Sequence, residues 1–179
     1  MTVEIINGKD IPFTRVMEIR QIRANTFGDW IIKEERKVPF TDEILFILNN
    51  KDKKILAVGC LFQIQAKLLG KLYVIQGIGN IVAVEKGKWY GKMLMQEIHA
   101  YLKKDKLTGV GFCSPTNTIF YQKCNFLIQK NSIHRFVNDS GTGWQPDADE
   151  DILYFEGNDN FMKIFLSHPK AKVYIPCFW

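Results

Sequence analysis

The sequence predicts an α/β domain of the α+β kind, a mixed and mostly antiparallel sheet flanked by helices. Two observations carry this expectation. Residues 43–84 form three β-rich runs separated by tight-turn signals, which is the pattern of an antiparallel meander. Beyond them, strand-like and helix-like periodicities alternate as β-α-β-α-β.

The elements follow in order. Val3 to Ile6 is a short β run, and Phe13 to Phe27 has helical spacing of Val16, Ile19 and Ile22, with Gly28 as its stop. After the charged stretch "KEERK", the run "EILFILNN" leads through the turn "NNKDKK" into "ILAVGCLFQIQ". A second turn, Leu69 to Lys71 around Gly70, opens "LYVIQGIGNIVAV". Tyr90, Leu94, Ile98, Tyr101 and Leu102 share one face of a helix from Tyr90 to about Lys104, and Lys103 and Lys104 suit its negative end. Then "TGVGFCS" predicts a buried strand, "TNTIFYQKCN" a short helix and "FLIQKNSIHRFV" a further strand. The acidic, irregular "NDSGTGWQPDADED" precedes two last β runs, "ILYFE" and "KVYIP".

Length and composition bound the rest. With 179 residues, 46% hydrophobic and 24% charged, residues 1–179 are expected to form a single domain. Lys and Arg number 24 against 19 acids, a net charge of +5 that is modest for a nucleic-acid binder and ample for an anionic cofactor. No nucleic-acid-reading motif is present, and the lysines are spread over several elements. The first residues, "MTVEIINGKDIPF", are too polar for a signal peptide, and the longest apolar tract is broken by Gln, Gly and Asn, so no membrane partner is expected. Cys60, Cys113, Cys124 and Cys177 lack C-x-x-C spacing and predict reduced core thiols in a cytoplasmic protein. His99, His134 and His168 have no neighbours at metal-ligand spacing, so no metal is expected.

The stretch "EKGKWYGKMLM" sits where a strand gives way to a helix. Helix N-terminal N–H groups lack internal partners and carry the positive end of the dipole, so such a corner suits an anion. Gly87 and Gly91 permit close approach, and Lys86 and Lys88 add charge. Neither the P-loop nor the G-x-G-x-x-G pattern is present, and alone a Gly/Lys-rich corner is a solvated turn more often than a ligand site.

The combination is more specific. From Gly77 to Phe126 the chain resembles the acetyl-CoA-binding core of the GNAT N-acetyltransferase superfamily, with its apolar V-x-V strand followed by R/Q-x-x-G-x-G/A opening a helix. Lys86 stands at the Arg/Gln position, Trp89 at the first glycine and Gly91 at the last. Downstream, "FYQKCNF" is similar to the family's F-Y-E-K-x-G-F: Phe120, Tyr121, Lys123 and Phe126 match, Gln122 replaces Glu, and Asn125 replaces a glycine while tolerating a left-handed conformation. The order of "IRQ", "VAV", the basic turn, "FYQKCNF", "QPDADEDILYF" and the last tryptophan is similar to the aminoglycoside 2'-N-acetyltransferase branch.

The resemblance implies an acyl-CoA N-acyltransferase fold and acetyl-CoA as acetyl donor to a small-molecule primary amine, an aminosugar or aminoglycoside among the options. It implies that backbone groups at Val82 and Val84 pair with the pantetheine arm, and that amides from Gly87 through Lys88, Trp89 and Tyr90 to Gly91 hold the pyrophosphate. Tyr121 is implied as general acid and the α-carboxylate of Trp179 as a base. Asn80 stands where that branch carries a glutamate, and an amide cannot take a proton. With Asp147 and Asp149, Asn80 is a candidate acceptor contact; Asp147, Asp149, Glu150 and Asp151 are also alternatives to Trp179 as the base, acting through water, or as a site for a cationic substrate. Trp144, Phe155, Phe161, Phe165, Phe178 and Trp179 supply aromatic walls or core. Two alternatives stay open: an N-acyltransferase of the Nod-factor type with a longer acyl donor, and a non-catalytic acyl-CoA-binding module, which Trp89 would favour if its ring filled the phosphate cradle. A homodimer is also left open.

Overall fold

A computed structural model describes residues 1–28, 43–138 and 147–179. They gather into two compact units: Met1–Leu61 with Asn80–Glu97, and Phe62–Gly79 with Ile98–Trp179. The "KEERK" stretch and Trp144 lie outside the described residues.

The first unit holds β1 (Thr2–Asn7), α1 (Phe13–Phe27), β2 (Glu43–Asn49), the leading part of β3 (Ile55–Leu68), the end of β4 (Lys71–Ala83) and the opening turns of α2 (Tyr90–Asp105). Its strand order is β1-β2-β3-β4. β1 runs antiparallel to β2, with Thr2 opposite Asn49 and Asn7 opposite Ile44. Leu45 to Leu48 are all buried, as expected of a strand covered on both faces. The β2–β3 turn is set by Asn50, whose Oδ1 accepts from Asp52 N and Lys54 N, each at 2.9 Å. This is an Asx turn, in which a side chain replaces a strand partner. α1 ends where Gly28 N–H donates to Ala24 O at 2.8 Å.

The second unit holds the rest of β3, β4 and α2, followed by β5 (Gly109–Cys113), α3 (Thr118–Gln122), β6 (Leu127–Gln129), β7 (Phe136–Asn138), β8 (Asp151–Phe155), α4 (Phe161–Ser167) and β9 (Val173–Ile175). Leu69 and Gly70, at φ 50° and 80°, make the two-residue hairpin between β3 and β4. β4 and β5 are parallel, with Gln76 opposite Gly109 and Ile78 opposite Gly111. Parallel neighbours need a crossover, which α2 supplies. From β4 the order continues β5-β8-β6, while β9 pairs with β3 and β7 with β9. The core packs Tyr73, Ile75, Phe161, Phe165, Val173 and Ile175.

Three sequence expectations are corrected. The segment "FLIQKNSIHRFV" is not one strand but β6, a 3₁₀ turn at Ile133–Arg135, and β7. The break comes at Asn131, in a left-handed conformation with φ 54°, whose N–H donates to Asp151 Oδ1 at 3.2 Å. α4 was not anticipated: its aromatic residues read only as a compositional bias. Its first turn is held from outside, by Glu156 accepting from Met162 N and Lys163 N and by Asp159 accepting from Phe161 N, so no N-cap motif marks it. Cys177 is exposed, whereas Cys60, Cys113 and Cys124 are buried free thiols.

Candidate functional site

In the first unit, β4 ends at Ala83 and α2 starts at Tyr90. Gly87 in the connecting turn has φ +77°, and a Cβ built on it meets nothing within 4 Å, so the turn is both left-handed and open. Lys86 and Lys88 are exposed. Trp89 caps α2, accepting from Met93 N at 3.0 Å, and the amides of Tyr90, Gly91 and Lys92 precede that first intrahelical bond. The Trp89 indole is 71% exposed and has Lys92 Nζ 4.9 Å from its ring centre, a cation–π contact on the helix surface. Its ring therefore stands in solvent. A cleft of about 280 Å³ runs beside the turn, lined by Ile22, Asn25 and Thr26 of α1, by residues 82–84 and by Lys86.

β4 is not a regular strand. Gln76 N–H donates to Thr108 O, towards β5, while Val84 N–H donates to Leu56 O at 2.9 Å, towards β3. The two residues are an even number apart, so in an unbroken strand both would point the same way. One extra residue lies between them, and Asn80, at φ +54°, marks the bulge. The Val84 amide is therefore used inside the sheet, and alternation turns the backbone groups of Ile81 and Ala83, rather than those of Val82 and Val84, away from β3. Asn80 itself donates through Nδ2 to Cys60 Sγ at 3.7 Å. Behind it Arg23, fully buried, donates to Glu43 Oε2 at 3.2 Å and to Cys60 Sγ at 3.5 Å. Burial, then Glu43, holds the Cys60 thiol well above the usual range.

In the second unit, Tyr121 lies in α3 beside Phe120, with ring centres 5.0 Å apart. The helix closes with Phe126 N–H on Tyr121 O at 3.1 Å and Asn125 N–H on Gln122 O at 3.0 Å, Asn125 being left-handed at φ 69°. This is a Schellman motif with asparagine at the glycine position, as the sequence suggested. Burial, followed by Cys113, Cys124 and Glu150, pushes the Tyr121 phenol well up. Burial with Asp151 and Glu150 pushes Cys113 up to about 12. Glu150 is half-buried, and burial, then Asp147 and Asp149, raises its carboxyl. Asp147 and Asp149 themselves are exposed. Trp179 lies across the glycines of β4. Its Nε1 donates to Ile78 O at 3.3 Å, and a Cβ on Gly77 would stand 2.6 Å from the indole, so only glycine seats it there. At Gly79 a Cβ would stand 3.7 Å from the Trp179 carbonyl carbon, and Phe112 lies 4.9 Å from the indole, ring centre to ring centre. Among the described residues no three His, Cys, Asp or Glu side chains gather as metal ligands, and no helix is long and apolar enough to cross a membrane.

No family profile and no curated protein matches the sequence. Solved structures do match. An acetyltransferase from Corynebacterium glutamicum, related to histone acetyltransferases, superposes with TM-score 0.61 at 9% identity over 88% of this chain and 97% of that one. An acyl-CoA N-acyltransferase from Pseudomonas aeruginosa gives 0.58 at 12% over 86% and 97%. A Bacillus subtilis acetyltransferase, solved with CoA, gives 0.55 at 19% over 87% and 99%. The fold is that of the GNAT N-acyltransferases. Within the GNAT fold, two features were missed from sequence: the bulge that turns Ile81 and Ala83 outward, and the glycine seat of Trp179. "GIGN" inside an apolar strand was the available signal for both, since glycine and asparagine there mark bulges and close approaches.

Proposed function

We propose that the protein is an acetyl-CoA-dependent N-acetyltransferase acting on a primary amine of a small molecule. The observation that carries this is the α2 entry: unpaired amides, a left-handed open Gly87, two exposed lysines and an outward Trp89, at the end of a bulged β4 in a GNAT fold. The turn from Gly87 to Gly91 binds the pyrophosphate through backbone N–H groups, with Lys86 and Lys88 adding charge. The outward backbone groups of Ile81 and Ala83 bind the pantetheine amides. The neutral amine attacks the thioester carbonyl, its C–S bond breaks, and Tyr121 delivers a proton to the departing sulfur. Tyr121 suits this because burial keeps its phenol protonated. Asn80 cannot serve as base. The amine's proton leaves to water or to an ionised carboxylate of the 147–151 segment, where exposed Asp147 and Asp149 attract a cationic acceptor. Trp179 and Phe112 form an aromatic wall on the acceptor side, and aminosugars are the first acceptor class to test.

Titration with acetyl-CoA should raise the melting temperature in step with ligand over dissociation constant. A panel of amines with thiol release as readout then names the acceptor. No shift at about millimolar acetyl-CoA, the upper end of ordinary KM values, would reject the proposal.

A further inference from the structure

The cluster behind the β4 bulge takes no part in the chemistry above, yet it places a fully buried guanidinium, Arg23, against the part-buried carboxylate of Glu43. Arg23 of α1 is completely buried and reaches both Glu43 at the start of β2 and Cys60 in β3. The Cys60 sulfur accepts from Arg23 and from Asn80, and Arg23 in turn holds Glu43. One sulfur in β3 thus links α1 directly to β4, with β2 joined through Arg23. A buried ion pair is a poor source of net stability, because desolvation consumes most of the attraction. What it does well is to allow a single arrangement, since every member loses its partner if the geometry slips.

The arrangement held here is the bulge. Asn80 is the left-handed residue of β4, and its side chain is tied down by Cys60. We propose that Cys60, fixed by Arg23 and Glu43, is a positioning residue for the donor: it holds Asn80 in the bulge and so decides that Ile81 and Ala83 present their backbone groups away from β3. This rests on the acyl-CoA reading given above. A one-residue slip would exchange every backbone group along the strand, returning Val84 to the outer edge and turning Ala83 inward. An apolar residue at 60 fills the same space but leaves Asn80 free to let the strand slip.

The test compares the native chain with Cys60→Ala, Cys60→Ser and Asn80→Gly, the last keeping the backbone conformation without the amide. Acetyl-CoA affinity is measured by calorimetry, turnover by thiol release, and the Val84 amide by hydrogen exchange without ligand. Loss of the Asn80 hydrogen bond at Cys60→Ala, together with that to Arg23, should raise KM and Kd for acetyl-CoA about tenfold, with kcat nearly unchanged, and speed Val84 exchange by a similar factor. Cys60→Ser, which keeps a donor and an acceptor, should recover most of both. If Cys60→Ala does not fold, Asn80→Gly carries the same comparison. Native affinity and native Val84 exchange in Cys60→Ala would overturn the proposal, as would equal losses in the alanine and serine variants. If the native chain binds no acetyl-CoA, the acyl-CoA reading falls; faster Val84 exchange in Cys60→Ala then keeps the bulge-holding role, and unchanged exchange removes that too.

Discussion

Burial and the neighbouring Cys113, Cys124 and Glu150 keep the Tyr121 phenol protonated through the neutral range, so it is available as a proton donor and not as a base. Replacing it tests the acid directly. Tyr121→Phe keeps the ring that packs against Phe120 and loses only the hydroxyl, so acetyl-CoA affinity should stay within about twofold while kcat falls about 10²-fold, the lower end of what a positioned acid contributes. Steady-state kinetics beside calorimetry reads both, and unchanged kcat would remove Tyr121 from the mechanism. Trp89 poses the opposite question at the same scale. At the first-glycine position of the GNAT motif a bulky ring suggests a blocked turn, but the Trp89 ring stands exposed on the helix surface beside Lys92 and leaves the amides of the turn uncovered. Side-chain identity matters there less than side-chain direction, which a motif does not encode.

α3 shows how much of an element can depend on one backbone angle. Asn125 occupies the left-handed position of the Schellman motif, and the two hydrogen bonds that close the helix also fix Tyr121 at its end. A β-branched residue there pays the left-handed penalty, so Asn125→Val should destabilise the fold by about 1–2 kcal/mol. For a chain of this size that lowers the melting temperature by about 2–4 °C per kcal/mol. Asn125→Gly should be neutral or slightly stabilising, which thermal unfolding distinguishes. This element was legible because asparagine is one of few residues that enter that region, and α1 was legible from its spacing and Gly28. α4 was not: its first turn is satisfied by Glu156 and Asp159, and its last carbonyls by Arg135, which donates to Phe165 O at 2.7 Å and His168 O at 2.8 Å from the 3₁₀ turn before β7. Caps supplied by residues that precede the helix or, like Arg135, lie far from it in sequence leave no pattern within the helix itself. The bulge in β4 was hidden for a related reason. Parity along a strand is decided by partners on both sides, whereas "NIVAV" reads identically in either register, so the sequence alone does not say which of its backbone groups face outward.

For the molecule as a whole, the positive balance of 24 basic against 19 acidic residues identifies an anionic partner only as a class, and naming acyl-CoA as that partner is the step proposed above from the α2 entry. The acceptor stayed illegible because the residues proposed to contact it are exposed acids and aromatic faces, residue types that surfaces carry for many reasons. Charge does make a prediction about the donor. Lys86 and Lys88 are exposed, so their attraction for phosphate acts through water and is screened over a Debye length of about 10 Å at 0.1 M salt and about 3 Å at 1 M. Raising sodium chloride from about 0.05 M to about 0.5 M should therefore weaken acetyl-CoA binding several-fold, chiefly through a slower association rate. The double variant Lys86→Gln, Lys88→Gln should bind more weakly at low salt and show a much flatter salt dependence, because the screened part of the attraction has been removed while the α2 amides remain. Calorimetry across the salt series with both proteins checks this. If native and variant proteins have the same salt slope, the phosphates do not sit at this turn, and the unpaired amides of α2 must serve another purpose.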